Sequence, residues 1–411
     1  MNCITQHKKL KILDNFHPSW YVVTMSWGVS ALILVGLPFG DNKKIIEPIN
    51  NQTDDEILVE LLENTDLLPN DLAKTIFYWI AVTIWAWNGI YWFLFTFIFM
   101  KKIRRCIKEL CEDCVQPLFC GCMIMGYLVF LSGFATFFNL IMVSWVLWWI
   151  GVLLALSSCF VINFRMFFHS TNREKISKNG IETILLLPTL PNIVAAATGA
   201  SLIPLLPKLD MDPENIIALQ KITIFVCYGI LGIGLSLSCC VLAVYFIRLL
   251  EKGVPNAALG NSVWIIVGPL GHGANTILQL GRYVRLQTWE SEIMEAAKSG
   301  VTGASFLVGI MMWGFGVFWL GIAIMTSLSH SKFISKTEGG LVFNLGYWTM
   351  IFPLATLTFA TFQLEIYTGF LFFRVCSWIF GLGVVLGAVI VHVMTGFHAV
   401  FKSEEFWGKF K

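Results

Sequence analysis

Residues 117–168 read PLFCGCMIMGYLVFLSGFATFFNLIMVSWVLWWIGVLLALSSCFVINFRMFF, with Arg165 the one formal charge. As a single helix the stretch would be about 78 Å long at 1.5 Å per residue. A bilayer offers only about 30 Å of hydrocarbon. It therefore reads as two membrane spans, folded back on each other somewhere between Asn139 and Ser144.

The rest of the chain follows the same pattern. Of 411 residues, 56% are hydrophobic and 13% charged, where a soluble domain carries about 25% charge. No soluble core of this length hides that much apolar surface, so the fold class is all-α integral membrane. Ten apolar segments near the required length occur at 17–39, 75–100, 117–140, 143–168, 182–206, 217–249, 261–281, 300–328, 341–363 and 373–398. The sixth is long enough that it must tilt or protrude. With the N-terminus in the cytosol and the segments alternating, 19 Lys+Arg fall inside and 9 outside, as the positive-inside rule requires. The expected organisation is a cytosolic N-terminus at 1–16, a ten-span domain at 17–398 and a cytosolic tail at 399–411. The domain carries an outer loop at 40–74 with a glycosylation acceptor at Asn51-Gln52-Thr53. Met1–Asn15 is basic, with Lys8, Lys9 and Lys11, and lacks the pattern of a cleaved signal peptide. The plasma membrane is the expected location.

Net charge is +2, which gives no footprint for nucleic acid. Most of the eleven cysteines lie in apolar segments. The cluster Cys106, Cys111, Cys114, Cys120 and Cys122 has no histidine beside it and reads as free thiols, so no metal and no cofactor is expected.

Proline divides the spans. Pro18 and Pro38 bracket the first, Pro117 opens the third, and Pro188, Pro191 and Pro204 lie in the fifth. Pro269 is in the seventh and Pro353 in the ninth, whereas the even spans have none. Proline removes a helical hydrogen bond, and freed carbonyls are tolerated in a membrane only inside protein or beside a watery cavity. The odd spans are therefore expected to line an interior and the even spans to face lipid, giving five helical hairpins around a central pore. Gly383 and Gly387 in the tenth span, and Gly314, Gly316 and Gly321 in the eighth, read as close helix contacts.

Chemistry is sparse. There is no phosphate-binding loop and no serine–histidine–acid set, so the chain does not read as an enzyme. The clearest ionisable residue at membrane depth is His272, in Gly268-Pro269-Leu270-Gly271-His272-Gly273. A receptor or scaffold would call for seven spans or a signalling domain. A channel or facilitator fits better, lined by apolar side chains and backbone dipoles. Pro188, Pro191, Pro269, Gly271, His272, Gly273 and Pro353 are the pore-lining or helix-break candidates. Arg282, Arg285 and Arg374 could gather anions at the outer mouth.

Five stretches, in order, resemble one family: the voltage-dependent anion channel and tellurite-resistance/dicarboxylate transporter family. They are Pro18-Ser19-Trp20-Tyr21 with Thr24-Met25 and Gly28; Leu187 to Pro191 with Ile193 to Gly199; Gly268 to Gly273; Gly346-Tyr347-Trp348 to Phe352-Pro353; and Phe373-Arg374-Val375. The second, third and fifth are most similar to fungal sulfite pumps, and the fourth also to fungal malic acid transporters. His272 departs from the glutamine usual there. The resemblance implies a homotrimer in membrane lipid that passes small anions: sulfite by preference, otherwise malate or other C4-dicarboxylates, chloride or nitrate. It also implies a phenylalanine gate, which by position is Phe352.

Overall fold

The computed structural model describes residues 16–36, 72–101, 103, 116–168, 183–256, 260–330 and 343–401. The N-terminal segment, most of the outer loop with Asn51, the thiols Cys106, Cys111 and Cys114, and the end of the tail lie outside the described residues. Among those described, ten long helices and no strands occur. We number them α1 (Tyr21–Gly36), α2 (Leu72–Lys101), α3 (Cys120–Phe138), α4 (Ile141–Phe168), α5 (Leu190–Leu202), α6 (Pro213–Lys252), α7 (Val267–Leu286), α8 (Glu292–Ser329), α9 (Trp348–Thr368) and α10 (Leu371–Phe401).

The odd helices form a closed ring. α1 packs on α3, α3 on α5, α5 on α7, α7 on α9, and α9 back on α1. Each even helix packs on its own hairpin partner and also on the next odd helix. Burial separates the two sets. In α1, α3, α5 and α9, 67–78% of the residues in the most apolar window are buried, against 22–39% in the even helices. The even helices present Phe93, Leu153, Phe160, Met311 and Ile379 outward, all more than half exposed. That is the apolar surface a bilayer solvates.

Each inner helix is entered through a tight 3₁₀ turn: Pro18–Trp20, Gln116–Phe119, Thr183–Leu186, Gly260–Ile266 and Leu345–Tyr347. Hydroxyl groups cross-link this end of the ring. Ser26 Oγ donates to Trp348 O at 2.9 Å, Thr183 Oγ1 to Ser262 O at 2.7 Å and Thr349 Oγ1 to Asn261 O at 3.0 Å. Such bonds bind inner helices to each other where hydrocarbon offers no alternative partner.

Tryptophans pin the two layers together. From outer helices, Trp85 Nε1 donates to Phe130 O of α3, Trp148 Nε1 to Ala195 O of α5 and Trp313 Nε1 to Thr361 Oγ1 of α9, all at 2.8–2.9 Å. In each case the acceptor belongs to the next inner helix. The hairpins α3–α4 and α9–α10 close through two-residue turns, with Asn139 (φ 54°) and Gly369 (φ 65°) in the left-handed conformation. Asn and Gly are the residues that bear it most readily.

Several sequence expectations shift. Among the described residues nine helices are long and apolar enough to cross a membrane on length and composition alone, and α7 is not one of them. His272, Asn275, Gln279, Arg282 and Arg285 dilute its apolar character, yet it completes the inner ring. Proline also begins an even helix, since Pro213 opens α6, where its missing N–H is an orphan in any case. At 40 residues, α6 is about 60 Å long and extends well past the hydrocarbon, as α8 does. Gly383 and Gly387 face Leu354 and Ile351 of α9, and Gly316 faces Leu357. Gly314 and Gly321, however, have no neighbour within 4 Å among the described residues. They lie open on the outer surface and make no helix contact.

Candidate functional site

The interior of the ring is best read from α7. Gly273 faces Leu235 of α6 and Met312 of α8, and Gly281 faces Ser305 of α8. This side of the helix meets the outer layer. The opposite side carries His272, Asn275, Gln279 and Arg282, spaced three, four and three residues apart, which aligns them along one face. His272, Asn275 and Gln279 are 4–8% exposed. Gln279 Nε2 donates to Asn275 Oδ1 at 2.8 Å. Neither ring nitrogen of His272 has a hydrogen-bond partner among the described residues, and the same is true of Arg282 Nε. Buried polar atoms are rarely left so. Other such atoms occur elsewhere among the described residues, but these three fall on one face of α7.

Phe352 stands beside this face on α9. Its side chain is 1% exposed, and its ring centroid lies 5.4 Å from that of His272. α9 is held against α7 by contacts that no larger residue would allow. A Cβ added at Gly271 would lie 2.6 Å from Leu357 N and closer still to Thr356 Oγ1. Farther along, Tyr367 OH donates to Leu278 O at 2.8 Å. The two contacts occur in the same order along both chains, so α7 and α9 run parallel. Phe352 shares its face with Phe359 and Gln363, one and two further helical repeats along. Those two are only half-buried. Burial on this face is therefore complete at Phe352 and His272 and falls toward the C-terminal end of α9.

The prolines act at the ends of helices more than within them. Pro188 and Pro191 sit at the junction of the Thr183–Leu186 turn and α5. Leu187 N and Thr189 N there bond Ile184 O and Leu186 O in short turns. Pro269 lies in the first turn of α7, which runs unbroken through Gly271, His272 and Gly273. The expected break is therefore at Ile266, where the 3₁₀ turn ends. The two glycines serve close packing, Gly271 inward against α9 and Gly273 outward. Pro353 stands inside α9, directly after Phe352.

The three arginines part company. Arg282 lies on the interior face, with Nη2 donating to Tyr283 OH at 3.2 Å. Arg285 follows it at the same end of α7. Arg374 instead donates from Nε to Glu365 Oε1 at 2.6 Å, and that carboxylate is 3% exposed. Its charge is already paired. Among the described residues no group of three or more His, Cys, Asp or Glu is arranged to hold a metal.

The class of protein is that of helical membrane proteins that carry anions, as the family match shows. The chain belongs to the voltage-dependent anion channel family, whose sequence profile matches residues 15–396. It is 28% identical to the sulfite efflux pump SSU1 of Trichophyton rubrum, over 95% of this chain and 92% of that protein. It is 27% identical to the sulfite efflux pump SSU1 of Arthroderma otae, with the same coverage. It is 22% identical to the uncharacterized transporter MJ0576 of Methanocaldococcus jannaschii, over 84% of this chain and 82% of that one.

Asn275 and Gln279 escaped the sequence reading. They lie inside a segment counted as apolar, and the signal that marks them is their spacing from His272 and Arg282.

Proposed function

We propose that this chain exports sulfite across the plasma membrane as a passive anion pathway, and has no enzymatic activity. The observation that carries the reading is the polar interior face of α7, with Phe352 beside it and Arg282 at one end. The names of its fungal relatives point to sulfite among the anions such a path would admit. Phe352 is the gate, with Pro353 beside it loosening the helix that carries the ring. His272 lines the path at the gate. Arg282 and Arg285 raise the local anion concentration at the open end, and Arg374 contributes less because Glu365 neutralises it. Pro188, Pro191 and Pro269 set the 3₁₀-to-helix junctions at the closed end. Both termini are cytosolic and the working assembly is a homotrimer, with the even helices supplying the lipid and subunit surfaces. The similarity of Gly346 to Pro353 to malic acid transporters makes a C4-dicarboxylate the second candidate.

The deciding experiment is flux of sulfite, malate, chloride and nitrate into proteoliposomes holding the pure protein. Sulfite should move fastest. Faster malate flux would transfer the assignment to dicarboxylates, and no flux of any of the four would remove the transport reading.

A further inference from the structure

We propose that Asn275, Gln279 and Arg282 form a binding subsite for a small oxyanion, placed between the Phe352 gate and the open mouth, and that this subsite favours oxyanions over halides. The proposal rests on the transport reading above and assigns it a recognition element.

The three side chains succeed one another on the interior face of α7. Asn275 and Gln279 are separated by about 6 Å along the axis, and Gln279 and Arg282 by about 4.5 Å. Their existing bonds leave donors turned to the interior. Because Gln279 Nε2 is committed to Asn275 Oδ1, the Asn275 NH₂ group remains to donate. The Tyr283 hydroxyl holds Arg282 through Nη2, which orients the guanidinium plane while Nε stays buried and unpartnered. A fixed guanidinium edge matches an anion that presents two oxygens side by side. Sulfite and carboxylates do so. A halide is a single sphere on which both fork donors must converge with bent bonds, so it gains less from the fork than two separate oxygens do.

The subsite is also weak enough for transport. Its one full charge lies at the half-buried end, and the deeper positions are neutral amides. An anion can bind, shed part of its water and still leave, as conduction requires.

Arg282→Lys tests the proposal, because it keeps the charge and removes the fork. In proteoliposomes, the half-saturating sulfite concentration should rise about tenfold relative to that for chloride, the effect of losing one charge-assisted hydrogen bond. An unchanged ratio of sulfite to chloride half-saturation in a variant that elutes as a single species overturns the subsite and leaves Arg282 as a steering charge only. If Arg282→Lys does not elute as one species, Gln279→Met poses the same question, since it frees Asn275 Oδ1 and removes the amide. A tenfold loss of sulfite preference supports the subsite and no loss overturns it. Wild-type protein that carries chloride but no sulfite would instead defeat the proposed substrate, a result read before any variant is made.

Discussion

The imidazole of His272 and the phenyl ring of Phe352 meet with centroids 5.4 Å apart and planes inclined by 52°. One belongs to the most polar inner helix and the other to its parallel neighbour. The two side chains can be tested separately.

Replacing Phe352 with alanine should raise anion flux. The ring fills the interior and is held by no polar bond, so truncation opens space without leaving an unpaired group. An increase on the order of tenfold corresponds to lowering the barrier by about 1.4 kcal/mol. Flux through proteoliposomes at matched protein density gives the answer, and unchanged flux in a well-folded variant would remove Phe352 as the gate.

His272 should matter through its polar atoms. His272→Gln keeps a donor and an acceptor and is expected to retain transport. His272→Phe keeps the ring and discards the nitrogens, and should reduce flux severalfold. If both variants match the wild type, the histidine is a packing residue.

Gly271 tests how α7 and α9 are held together. A valine there would drive its side chain into Thr356 and the backbone at Leu357, contacts that are already closed at the Cβ. Overpacking of this kind costs about 1–3 kcal/mol. The melting temperature in detergent should fall, and flux should change with it because the gate rides on the same segment of α9.

Trp148→Phe should lower stability and leave selectivity alone. It removes the donor to Ala195 O and, because phenylalanine lacks the second ring of the fully buried indole, leaves a small void. A loss of about 1–3 kcal/mol is the usual consequence of a lost hydrogen bond and a small void together. Thermal unfolding of purified protein measures it, and the sulfite-to-chloride ratio serves as the control.

Transport should follow the anion's own electrochemical gradient. A cytosol-negative potential favours exit by about 2.3 kcal/mol per charge per 100 mV. In liposomes with no pH gradient, current should reverse at the anion's Nernst potential. Should the reversal point move with an imposed pH difference at a fixed anion gradient, a proton is coupled and the passive reading is wrong.

Much of this architecture is legible in the sequence. The doubled apolar run at 117–168 demands a hairpin, and the turn falls at Asn139, a residue suited to the left-handed conformation it adopts. The proline distribution separates most inner helices from outer ones, because prolines sit in the turns and first residues that enter the inner helices, with Pro213 of α6 an exception. The 3₁₀ turns were hidden, since Gly260–Ile266 contains no proline and its geometry follows from neighbours in the ring. The continuity of α7 was hidden as well. Glycines at 271 and 273 look like a break when read alone, and become packing residues only once α9, α6 and α8 press against them. The polar face was missed because a window that averages hydropathy ignores which side of the helix each amide occupies.

Five inner helices closed on one another have a mechanical consequence. Carriers that alternate access rock one half of the molecule against the other across a shared seam. A ring of five cannot be divided into equal halves, and each inner helix is braced on both sides, with an outer helix lodged against every junction. No seam runs through such a wheel. On the gating proposed above, opening falls to single side chains turning at the hub while the rim stays still, a rotamer exchange faster than the domain motions of a rocking carrier.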